Sequence, residues 1–133
     1  MTTHAHGTFD VKTLPLNLDE QPPAASLGRF SLDKEFHGDL TATSHGEMLT
    51  AGRIEGSGAY VAIERVSGSL HGRAGSFALQ HSGTMAPGLL QLTIAVVPDT
   101  GTGDLAGLAG TLTIDFSDGG HAYDLEYTLP DPG

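Results

Sequence analysis

The sequence predicts an all-β fold, a closed eight-stranded antiparallel barrel. Apolar and polar residues alternate with period two in short runs at regular spacing along the chain. Its 19 glycines sit singly between β-branched and aromatic runs, as turn glycines do, and no helical period survives them. Many short antiparallel strands must also hide their edges. Closure does so, and at eight strands the interior just holds side chains or one small ligand. A two-sheet sandwich is the alternative.

Residues 1–6 read as a polar tail, leaving residues 7–133 as one domain. Thr8–Leu14 puts Phe9, Val11 and Thr13 on one face and reads as a strand. Pro15–Ala25 holds three prolines and reads as a loop, with a short helical turn at Leu16–Glu20. Arg29–Phe36 alternates cleanly, with Phe30, Leu32, Lys34 and Phe36 on one side. His37, Gly38 and Asp39 turn the chain into a weaker strand, Leu40–Leu49. Thr50–Gly58 reads as a glycine-rich turn, Ala59–Val66 as a strong strand, and Ser76–Thr84 and Leu89–Val97 as two more. Pro98–Gly110 is loop and turn. Thr111–Phe116 and His121–Leu129 close a hairpin around Ser117–Gly120. The expected interior is Phe9, Phe30, Leu32, Leu79, Leu92, Ile114, Tyr123 and Leu125.

At 133 residues the chain is one domain's worth, and 6 basic against 16 acidic residues give a net charge of −10. That charge repels a nucleic-acid backbone or an anionic membrane, so neither is expected as a partner. Without cysteine there is no disulfide framework, thiol nucleophile or cysteine-based zinc site. No run reaches the ~18 apolar residues of a spanning helix, and the N-terminus lacks the basic start and apolar stretch of a secretory signal. A cytoplasmic protein is the expectation. Gly101–Gly103 is not a dinucleotide fingerprint, because no helix follows it. Walker loops, G-x-S-x-G and H-E-x-x-H are absent from the sequence.

One short pattern occurs twice. Leu70–Phe77 and Leu105–Leu112 share L-x-G-x-A-G, followed by a small hydroxyl residue and a large apolar one. It reads as two equivalent hairpins, with Gly75 and Gly110 at positive-φ positions. The runs Gly7–Lys12, Tyr60–Met85, Val97–Gly110 and His121–Tyr127 together resemble a family of uncharacterised small bacterial proteins, from about Gly7 to Leu129. That family in turn resembles the allene oxide cyclase-like barrels. The resemblance implies a closed eight-stranded barrel with a ligand cavity, often oligomeric. It also implies an activity in which an apolar cavity shapes a reactive substrate.

Six side chains are candidates for a site. Lys34 lies on the apolar face of its strand, where it either meets a carboxylate or has a depressed pKa in a cavity, or else snorkels out of an open end. Glu64 sits mid-strand; both faces there are apolar apart from Glu64 and Arg65, so alternation does not assign its side. Inward, Tyr60 and Glu64 bring a hydroxyl and a carboxylate to the interior; otherwise Glu64 and Arg65 make salt bridges on opposite faces. His81 shares a face with Phe77 and Leu79, either as a satisfied core residue or as an acid or base beside Glu64. Glu64 and His81 are the catalytic candidates, with Tyr60, Lys34, Tyr123 and Tyr127 as ligand contacts. His4 and His6 align along an extended strand and with Asp10 faintly suggest a cupin pattern. The flanking glycines and second histidine motif of a cupin are missing, so no metal is expected. His45, His71 and His121 read as solvated residues near strand ends.

Three functions follow. The first is a cofactor-independent cyclase or isomerase acting on a small hydrophobic intermediate. The second is a lipocalin-like carrier of a hydrophobic ligand. The third is an interaction protein with a filled barrel. Strands 59–66 and 89–97 are apolar on more than one face, which predicts a homo-oligomer.

Overall fold

The computed structural model describes residues 2–16, 27–54, 56–87, 89–117 and 120–130. The strands are β1 (Thr3–Leu16), β2 (Leu27–Gly38), β3 (Leu40–Ile54), β4 (Ser57–Leu70), β5 (Arg73–Ala86), β6 (Leu89–Val96), β7 (Ala109–Asp115) and β8 (Ala122–Thr128). Each pairs antiparallel with the next, and β1 pairs with β8, so the eight strands close into an up-and-down barrel. Sandwich topology is thereby excluded. A 3-10 turn, Gly103–Leu105, interrupts the β6–β7 connection. Among the described residues no helix is long and apolar enough to cross a membrane.

Period-two alternation sets which side chains enter the barrel. All eight expected interior residues take inward positions. Phe9, Leu32, Leu79, Tyr123 and Leu125 are buried, whereas Phe30, Leu92 and Ile114 are half-buried. That difference follows position along the barrel axis. At one end Phe36, Leu40, Leu70, Phe77, Leu105 and Leu108 pack into a closed floor. The β6–β7 connection belongs to this floor. Thr102 N–H donates to Ser76 O at 2.8 Å, and Val97 N–H donates to Ala78 O at 2.9 Å, so the connection runs on beside β5 before Leu105 and Leu108 turn into the core. At the other end the inward side chains Phe30, Met48, Thr50, Tyr60 and Leu92 are only half-buried.

Several expectations are corrected. Residues 1–6 are not all tail, because Thr3–Gly7 pairs with β8 and Ala5 is fully buried. The partner strand supplies the order that this polar segment's own pattern does not advertise. Pro15 and Leu16 belong to β1; the rest of the expected loop, with most of its helical turn, lies outside the described residues. Most of the expected turn at Thr50–Gly58 is strand, with the β3–β4 ladder running to Ala51↔Ala59 and resuming at Ile54↔Ser57 across an irregularity. The two copies of the repeated pattern are not equivalent hairpins. Leu70–Phe77 spans the β4–β5 turn, whereas Leu105–Leu112 leads from the 3-10 turn into β7. Positive φ falls at Gly72 (80°) and Gly107 (84°), not at Gly75 and Gly110.

Candidate functional site

The inward positions of β2, β3, β4 and β5 bring a polar cluster into the middle of the apolar interior. The ladder pairs Lys34 with Ser44, Glu64 with Leu79, Ala62 with His81 and Tyr60 with Gly83. These registers stack Lys34, Ser44, Glu64, His81 and Tyr60 on one wall. Glu64 is inward with 0% exposure, which settles the face that alternation left open. Arg65 points out and donates to Ser76 Oγ at 3.1 Å.

Glu64 is the hub. Lys34 Nζ donates to its Oε1 at 3.1 Å, and Ser44 Oγ donates to its Oε2 at 3.0 Å. His81 Nε2 lies 3.1 Å from the same Oε1, so facing a carboxylate it carries the proton and donates. The other ring nitrogen, Nδ1, then accepts from the Tyr60 hydroxyl at 3.3 Å. Burial pushes the Glu64 carboxyl up, but the hydrogen bond from His81 and the Lys34 charge outweigh it, leaving the carboxyl below its ordinary range. Burial, with the Glu64 charge behind it, pushes the Tyr60 phenol up, so it stays protonated at neutral pH. Lys34 does not snorkel. Its ammonium sits against Glu64 with the Phe9 and Phe36 ring centroids at 5.0 and 5.8 Å. No buried side-chain nitrogen or oxygen among the described residues lacks a partner.

Chemically this is a tyrosine–histidine–glutamate chain backed by a lysine. The carboxylate fixes the imidazole tautomer and stabilises positive charge on the ring. Tyr60, half-buried, is the member nearest the less covered end.

Tyr123 and Tyr127 are not part of this cluster. The Tyr123 hydroxyl accepts from Leu40 N–H at 2.9 Å and lies 3.0 Å from His37 O, tying the floor together. The Tyr127 hydroxyl is bonded to His71 Nδ1, and His71 Nε2 is 3.5 Å from Asp39, so His71 is not simply solvated. His121 is also engaged, stacking on Phe9 with a centroid distance of 4.9 Å. Ser44 escaped the sequence reading. Its signal is the period from Leu40 through Ala42, which places position 44 inward on a strand that looks weak.

Two concavities, of about 640 and 680 Å3, lie across β1–β4 and β2–β5; Lys34 and Ser44 are among the residues lining the first, and neither is lined by Glu64 or His81.

The sequence matches the family described as "Protein of unknown function (DUF3224)" over residues 5–127. Its fold is similar to the crystal structure of a protein with unknown function from that family in Shewanella oneidensis MR-1. The two are 45% identical, with a TM-score of 0.92, over 98% of this chain and 99% of that one. No curated protein matches.

Proposed function

We propose that this chain, which belongs to the DUF3224 family of proteins of unknown function, is a small-molecule-binding barrel that performs proton transfer on a hydrophobic ligand. One observation carries the reading: a fully buried Glu64 aligns His81, which in turn meets a half-buried Tyr60 at the less covered end of an apolar barrel. Tyrosine, histidine and a buried carboxylate in that order suit an isomerase or cyclase. A carbonyl group of the ligand replaces His81 as the acceptor of the Tyr60 hydrogen bond, the freed His81 Nδ1 takes a proton from the adjacent carbon, and the resulting imidazolium returns that proton to the enolate at another carbon. Phe30, Met48 and Leu92 supply apolar contacts for the rest of the ligand. No cofactor enters this scheme. The resemblance to allene oxide cyclase-like barrels supports the same chemistry by analogy of fold.

The competing reading is a carrier that binds without turnover, and one experiment separates the two. The chain has no tryptophan, so Leu92→Trp provides a single reporter at the proposed mouth. Titration with 2-decanone is expected to shift its emission saturably. Incubation of the wild type with the ketone in deuterium oxide is expected to exchange the hydrogens beside the carbonyl, and Tyr60→Phe and His81→Gln to slow exchange by about a hundredfold. Binding without exchange makes the protein a carrier, and no saturable binding removes both readings.

We also propose that the barrel self-associates through the outer face of β3 and β4. There Leu49, Val61 and Ile63 are 50%, 51% and 59% exposed, beside the ion pair of Arg29 and Glu47. Apolar surface flanked by both charge signs is complementary to a second copy of itself.

A further inference from the structure

We propose that His4, His6 and Asp124 form a binding site for a divalent transition-metal ion at the β1–β8 seam. The inference is independent of the barrel interior. His4 and His6 leave β1 on the same outer face, and the register sets His6 opposite Asp124 and His4 opposite Glu126. His4 Nδ1 lies 3.1 Å from both Asp124 carboxylate oxygens, and His6 Nδ1 lies 3.1 Å from Oδ1. The two rings are parallel within 9°, their centroids 6.0 Å apart. One ligand atom from each residue falls within 4.8 Å of the others, a spread that small side-chain rotations gather around one ion.

Donor chemistry fixes the class of ion. Two imidazole nitrogens and one carboxylate oxygen suit zinc, cobalt or nickel, whereas magnesium and calcium favour all-oxygen sets. A chain of net charge −10 adds a general attraction for cations. The backbone supports the arrangement, since His6 N–H donates to Asp39 Oδ2 at 2.9 Å and holds this part of β1 in place. Three ligands on one exposed face leave coordination positions for water or a further ligand. An ion bound here joins the first strand to the last and pins the seam that closes the barrel. Local pattern alone hid the site, because Asp124 comes from the opposite end of the chain while Asp10, the nearby acid, bonds His37 instead.

The test uses the untagged full-length chain, titrated calorimetrically with zinc and, for its visible absorption, with cobalt. One-to-one binding is expected, weakened about tenfold or more by each of His4→Ala, His6→Ala and Asp124→Asn. These positions are on the surface, and circular dichroism verifies that each variant is folded. His45→Ala, which removes a different exposed histidine–aspartate pair, is expected to bind as the wild type does. Absence of saturable one-to-one binding overturns the proposal, and so does binding that survives all three substitutions.

Discussion

A carboxylate with no solvent exposure survives in an apolar interior only if its partners replace the water it has lost. Glu64 has three such partners, in Lys34, Ser44 and His81. Breaking a buried pair from one side leaves the other charge stranded. Lys34→Met and Glu64→Leu are each expected to cost about 3–5 kcal/mol in urea unfolding. The double variant, with both charges gone, is expected to recover much of the summed loss. If the two losses simply add, the pair is not coupled. The same hub predicts an acid limb. Glu64 has a lower pKa folded than unfolded, where a glutamate lies at about 4.3. Its contribution is therefore present above that value and lost as pH falls through the folded pKa. Stability should fall less steeply with acid in Glu64→Gln than in the wild type. Lys34, Glu64 and His81 could each be picked out from the sequence as charged or titratable residues on apolar strands. Their contact could not, because it depends on the register of three strand pairs.

Glycines show how differently the elements use one residue type. Gly72, in the β4–β5 turn, has φ near 80° and open space where a Cβ would go. Gly72→Ala therefore suffers only the backbone penalty, about 1 kcal/mol. Gly110 lies in β7 without positive φ, but a Cβ there would run into Glu126 O and Tyr127 Cα of β8. Gly110→Ala is expected to be the worse variant in thermal melts, since it pushes two paired strands apart; equal losses would count against that account. Both glycines occur in the repeated pattern, so sequence marked them as special positions. Which one needed φ and which needed space was not legible in the pattern; in both copies the first glycine, Gly72 or Gly107, has positive φ, and a Cβ on the second, Gly75 or Gly110, would meet a backbone carbonyl oxygen of a neighbouring segment. The strand lengths follow the same logic. Thr3–Gly7 and Thr50–Ile54 have weak local patterns and become strand because β8 and β4 offer them a ladder.

Over the whole molecule, the charged outer wall and apolar interior are the reverse of a lipid-facing barrel. Asp10, Lys12, Asp33, Glu35 and Arg65 all occupy outward positions, alternating with inward neighbours. Against that wall the patch of Leu49, Val61 and Ile63 stands out, and its burial in a second copy can be measured directly. Light scattering coupled to size-exclusion chromatography is expected to give a multiple of 13.7 kDa for the wild type. Ile63→Lys is expected to shift it to the monomer mass without loss of fold. A wild type that elutes as a monomer would refute self-association.

The amino-acid sequence by itself determined the class of fold and eight of the inward apolar residues, though not the floor built by Phe36, Leu40, Leu70, Phe77, Leu105 and Leu108. The fold class and those eight depend on side-chain periodicity and turn composition, which are local quantities. Tertiary structure alone decided which way Glu64 faces, that the first strand begins at Thr3, and that His4 and His6 meet Asp124. Each depends on pairing between segments far apart in the chain. A one-residue change of register would carry Glu64 from the interior to the outer wall, and nothing in the pattern of Ala59–Val66 forbids that change.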